Sequence, residues 1–250
     1  MPFRLFKPFA VATLLAVAGL SVRAADLTVS AAASLTNAFR DIGPLFESAH
    51  PGSKVQFNFG ASGALLQQIA KGAPADVFAS ADTETMDQAQ KANLVKQRRD
   101  FVSNTLVVVV PTSSARVPKA VADLALPAYA RIAIGLPASV PVGRYTRGVL
   151  EAANLWSAIE PKVIGANNVR QALDYVARAE VDAAFVYATD AALMPDKVKV
   201  ALTVPTTPPI RYPVAPLVAA PNAADATKFV DFLFTPTAQA VLARYGFGKP

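Results

Sequence analysis

Residues 27–46 read LTVSAAASLTNAFRDIGPLF, and their periodicity decides the fold class. Leu27 to Ala31 is a short apolar run of the kind that forms a buried strand. Leu35, Phe39, Ile42 and Phe46 then recur at spacings of four, three and four, which is one face of a helix. This βα reading repeats outward. Val55, Phe57 and Phe59 alternate as a half-buried strand, Leu65, Leu66 and Ile69 mark a helix that Gly72 and Pro74 stop, and Val77 to Ala79 begins a third strand. Further on, Leu106 to Val110, Arg131 to Gly135, Lys162 to Gly165 and Ala183 to Tyr187 predict buried strands, with helices over 144–153, 169–179 and 223–234. Such alternation predicts an α/β fold of mostly parallel sheets flanked by helices.

The chain of 250 residues is 53% hydrophobic and 17% charged, which excludes a disordered or collagen-like chain. Zero Cys removes disulfides, thiolate nucleophiles and Cys-based metal sites, and His50, the single His, leaves little for a histidine metal centre. Residues 1–24 read as an export signal: Arg4 and Lys7 precede an uncharged stretch from Pro8 to Leu20, and Val22-Arg23-Ala24 predicts cleavage after Ala24. That stretch is shorter than the ~20 residues of a membrane-spanning helix, so a periplasmic protein is expected, and without Cys no lipid can be attached at an N-terminal cysteine. Loss of Arg4, Lys7 and Arg23 with the signal lowers the net charge from +6 to +3. The remaining basic residues are scattered, which excludes a phosphate-tracking stripe and hence nucleic-acid binding.

No fixed-period repeat or long linker interrupts the pattern, so two α/β lobes are expected: 25–105 as the first part of lobe 1, 106–213 as lobe 2, and 214–250 returning to lobe 1. The Pro-containing stretches 111–118 and 204–213 are the expected crossings.

Small and polar residues concentrate where strands hand over to helices. Ser34, Gly60-Ala61-Ser62-Gly63, Pro141-Val142-Gly143 and Asn167-Asn168-Val169 each stand at a predicted helix start, where the first N–H groups lack intrahelical acceptors and the helix dipole is positive. One such Ser is more often simply a cap, and Tyr187, closing a hydrophobic strand, is by itself better read as a buried phenol satisfied by backbone. Four junctions together point to an anion. Asp76 and Asp82 read as structural, Asp82 as a helix cap. A serine hydrolase would need His50 as its base, but no Gly-x-Ser-x-Gly elbow is present and His50 sits beside Pro51. A cation site could draw on Asp76, Asp82, Asp190 and Tyr187, but the helix starts supply donors, and donors specify an anion.

The segments Ala31-Ala32-Ala33-Ser34-Leu35-Thr36-Asn37-Ala38, Gly60-Ala61-Ser62-Gly63-Ala64-Leu65, Gly72 to Asp82, Val140-Pro141-Val142-Gly143, Asn168-Val169-Arg170, Phe185-Val186-Tyr187 and Arg244-Tyr245-Gly246-Phe247 resemble the molybdate-binding family of ABC transporter substrate-binding proteins. The resemblance implies a two-lobed type II periplasmic binding fold with the ligand cleft between the lobes. It implies molybdate, and tungstate with it, held by the Ser34 and Ser62 hydroxyls, the Val142 and Val169 N–H groups and the Tyr187 phenol. Sulfate and phosphate are the competing oxyanions. The family often has Ala at Val142, a change a backbone donor survives, and some members have Ser at Gly63. No enzymatic activity, cofactor or free metal cation is implied; the partners are the oxyanion and an ABC transporter membrane permease, and the chain acts as a monomer. Arg144 and Arg170 are expected to act on the anion only through long-range field.

Overall fold

The first strand, β1 (Ala25–Ala32), is covered on both faces: Leu27, Val29 and Ala31 are fully buried and Ser30 nearly so. The computed structural model describes residues 25–250, so the export signal expected over 1–24 lies outside it. After β1 come a 3₁₀ turn over Ala33–Leu35, α1 (Thr36–Ala49), β2 (Ser53–Gly60), α2 (Ser62–Ala70), β3 (Val77–Ala79), α3 (Thr83–Lys91) and β4 (Arg99–Asn104). The second lobe runs through β5 (Leu106–Pro111), β6 (Ile132–Gly135), α4 (Pro141–Ala152), α5 (Trp156–Ile159), β7 (Val163–Ala166), α6 (Val169–Ala177), β8 (Ala183–Tyr187), α7 (Ala188–Ala191) and β9 (Val198–Val204). The chain then returns with β10 (Ile210–Pro216), α8 (Ala223–Phe232) and α9 (Pro236–Arg244).

Two five-stranded sheets result, ordered β2-β1-β3-β10-β4 and β7-β6-β8-β5-β9. In each sheet one strand, β10 or β5, is antiparallel to both neighbours. The reason is the route of the chain. β10 and β5 are the strands that arrive directly from the other lobe, so they start at the interlobe edge where the others end. The crossings are Thr105 alone, between β4 and β5, and residues 205–209, between β9 and β10. The expected crossing at 111–118 is therefore corrected: it leaves the far end of β5 and stays in the second lobe. The stretch 204–213 does contain a crossing, but the return begins at Ile210 rather than at 214, because Ile210 to Pro213 already pair with β4.

The returning helices are held by aromatic packing. The Phe39 ring lies 5.9–6.0 Å from those of Phe57, Phe101 and Phe229, and Phe46 meets Phe229 at 5.2 Å, so α1 and α8 share one core on one sheet. Asp76 fastens the start of α8 to the same lobe. Its buried carboxylate accepts from the Thr28 N–H at 2.8 Å and the Asn222 N–H at 2.6 Å, tying β1 and the start of α8 to the loop before β3. This is the structural role expected of it. Replacing Asp76 by Ala strands two backbone donors and should lower unfolding stability by about 3 kcal/mol, taking about 1.5 kcal/mol for each charge-assisted bond. Urea denaturation checks this; an unchanged midpoint contradicts the assignment.

Candidate functional site

The sequence folds so that four helix starts meet where the two sheets end. The 3₁₀ turn Ala33–Leu35 and α1 follow β1, α2 follows β2, α4 follows β6 and α6 follows β7. Ser34, Ser62, Val142, Val169 and Tyr187, all predicted from sequence, line one small cavity of about 10 Å³ together with Gly60, Pro141 and Asn168. A wider cleft of about 470 Å³ between α4 and the 205–208 crossing has the carboxylates of Asp82 and Glu84 on its wall.

Neither serine caps its helix, contrary to the simplest reading of a Ser at a helix start. The Ser34 Oγ lies 2.9 Å from the Tyr212 hydroxyl, and the Ser62 Oγ accepts the Ala81 N–H at 3.0 Å. Pro141, at the first turn of α4, has no N–H, so Val142 carries the first N–H of that helix. In α6, Asn168 caps by accepting from the Gln171 N–H at 3.0 Å, and Val169, the first residue of the helix, lines the cavity. Gly143 is required for this geometry, since a Cβ there would sit 1.8 Å from the Gly135 carbonyl oxygen. The Tyr187 hydroxyl is held only loosely, 3.5 Å from the Ala81 carbonyl across the cleft. Burial pushes its phenol well above the ordinary value, with Tyr212 adding to the shift, so it remains a donor.

The lobes are closed on one another. Gly63 donates its N–H to the Ser139 carbonyl at 3.0 Å, and a Cβ on Gly63 would lie 2.7 Å from that oxygen, so the Gly in this position permits the close approach. Arg144, from the second lobe, places Nε and Nη2 at 2.8 and 2.6 Å from one Asp82 oxygen in the first. Asp82 also caps α3, as expected. Arg170 pairs through Nε with Asp190 in its own lobe and reaches across to the Asn37 side chain at 2.8 Å and the Ser34 carbonyl at 3.2 Å. Both arginines thus bridge the lobes directly, a role the sequence did not suggest, and neither lines the small cavity. Arg144 is the fourth residue of α4 and Arg170 the second of α6, so both stand in the first turn or just past it.

Other candidates disperse. His50 stacks on Phe46 at the far end of α1 from Ser34, which removes the base a hydrolase would need. Asp76, Asp82 and Asp190 serve three separate networks, and among the described residues no group of three or more His, Cys, Asp or Glu could hold a metal ion. The cavity presents hydroxyl and N–H donors with neither a carboxylate nor an ammonium on its wall. Such a surface solvates a small anion that accepts at every oxygen.

Two sheets of matching topology, closed across a donor-lined cleft, define a two-lobed solute-binding protein. The chain belongs to the bacterial extracellular solute-binding protein family, whose profile matches residues 27–248. It is 39% identical over 229 residues to the molybdate-binding protein ModA of Escherichia coli (strain K12), covering 88% of each chain. It is 35% identical to a putative ABC transporter substrate-binding lipoprotein, YvgL, of Bacillus subtilis (strain 168), covering 91% of this chain and 88% of the other. Among solved structures, the substrate-binding domain of a putative molybdenum ABC transporter from Clostridium difficile superposes with a TM-score of 0.67 at 34% identity, over 90% of this chain and 99% of that one.

Asp190 is fully buried, and one carboxylate oxygen has no hydrogen-bond partner. Burial raises its pKa to about 6, against the lowering effect of the Arg170 charge. A value above the unfolded 3.8 means the folded protein holds this proton more tightly. Its contribution is therefore favourable at low pH and is lost as pH rises through about 6. Arg170→Ala leaves the carboxylate buried and unpaired, and should lower stability by about 3–5 kcal/mol at pH 8. The loss should be clearly smaller at pH 5, where Asp190 takes a proton. Thermal unfolding at both values checks the sign; an equal loss at both shows that Asp190 is not the titrating group.

Proposed function

We propose that this protein is exported, captures molybdate, with tungstate as an alternate ligand, and delivers it to the membrane permease of an ABC importer. The observation that carries this is the convergence on one small cavity of five groups able to donate, two serine hydroxyls, two backbone N–H groups and one phenol. A dianion entering it exchanges water for fixed donors, each charge-assisted bond contributing about 1.5–3 kcal/mol, reinforced by the dipoles of α4 and α6. Ser34 and Ser62 hold it from the first lobe, Val142, Val169 and Tyr187 from the second, so the ion itself joins the two halves. The family membership and the named activity of the Escherichia coli relative support this reading. Sulfate has the same charge and shape, so size separates the two. The protein acts as a monomer in the periplasm after cleavage behind Ala24, and the closed pair of lobes is what the permease meets.

Calorimetric titration of residues 25–250 with molybdate, tungstate, sulfate and phosphate tests the assignment. Molybdate and tungstate should bind; saturation by sulfate or phosphate with no response to the other two overturns it. Ser34→Ala and Ser62→Ala should each weaken molybdate binding by about 1–3 kcal/mol, whereas normal binding by both variants removes the serines from the site.

A further inference from the structure

The direction of the hydrogen bond between Ser34 and Tyr212 can be worked out from its surroundings. Asn104, the last residue before the one-residue crossing, accepts the Thr105 N–H on Oδ1 at 2.9 Å. A backbone N–H can only donate, so this end of the amide is the oxygen and the other is the NH₂ group. That group reaches the Thr189 hydroxyl at 2.9 Å and the Tyr212 hydroxyl at 3.1 Å, and toward both it can only donate. Tyr212 is fully buried, and its hydroxyl oxygen has two partners among the described residues, Asn104 and Ser34. With Asn104 donating, the only acceptor left for the phenol proton is the Ser34 Oγ, 2.9 Å away. The Ser34 oxygen is thereby engaged as an acceptor, and its own proton has to point elsewhere, toward the cavity it lines.

We propose that Asn104 and Tyr212 are positioning residues that polarise the Ser34 hydroxyl, making it an obligatory donor to whatever occupies the cleft. The inference builds on the oxyanion reading above. Ser62 is set in the same sense by a different device, since its Oγ accepts the Ala81 N–H at 3.0 Å. Each serine is thus fixed from behind by a donor, one by a side-chain relay and the other by the backbone. An ion that must itself donate a proton to Ser34 meets a hydrogen already in place. The relay also crosses the cleft, because Thr189 belongs to the second lobe while Asn104 and Tyr212 belong to the first sheet.

Neutron diffraction from deuterated, unliganded protein should place the deuteron between the two oxygens on Tyr212, with the Ser34 deuteron directed into the cavity. A deuteron on Ser34 pointing at Tyr212 overturns the proposal, whichever anion is bound in solution. Tyr212→Phe keeps the ring packing and removes only the relay, and should weaken molybdate binding about tenfold by calorimetry with little change in the melting temperature of the unliganded protein. An affinity within twofold of the unaltered protein overturns it. If Tyr212→Phe does not fold, the deuteron position decides alone. Failure of the unaltered protein to bind molybdate would reject the molybdate reading, while the neutron map would still decide the direction of the bond.

Discussion

An oxyanion withdrawn from water loses several strong hydrogen bonds at once, and only fixed donors can replace them. The architecture answers to that constraint. Helix starts are the one place in a folded chain where backbone N–H groups stand without intrahelical acceptors. This fold brings several of them to one point by ending parallel strands at a common edge and turning each into a helix. Pro141 at the head of α4 and Asn168 at the head of α6 serve the same end by different means. One omits an N–H and the other occupies a later one, and in each helix the next residue, Val142 or Val169, lines the cavity.

Charge is kept at one remove. Arg144 and Arg170 approach the cleft closely enough to join the lobes, but each is matched by a carboxylate, Asp82 or Asp190. The cavity wall is left to neutral donors. The arrangement is asymmetric in its burial: Asp82 is also bound by Ser80 and the Thr85 N–H, whereas Asp190 has an oxygen with no partner and a raised pKa. The second lobe therefore carries the carboxylate whose hydrogen bonding is incomplete.

The strands and helices with clean periods could be read from the sequence, among them Leu27 to Ala31, the Leu35-Phe39-Ile42-Phe46 face and Ala183 to Tyr187. So could the junction residues, because serines, glycines and asparagines cluster there for a reason independent of tertiary context. What escaped were β4, β9 and β10. β4 opens on Arg99 and Asp100, β9 buries only its end residues Val198 and Val204 while Val200 and Thr203 are exposed, and β10 contains two prolines, so each resembles a loop until its neighbours are known. With β10 went Tyr212, whose role depends on contacts 178 residues away in sequence. The two arginine bridges escaped for the same reason, since no local pattern reports a partner in another lobe.

The two crossings differ in length: one is Thr105 alone and the other spans residues 205–209. A single residue offers two soft torsions, too few for the halves to slide or drift independently. Parting becomes a swing about a nearly fixed line, with every contact across the cleft separating in step. Partial release, in which one wall lets go while the other holds, is mechanically disfavoured.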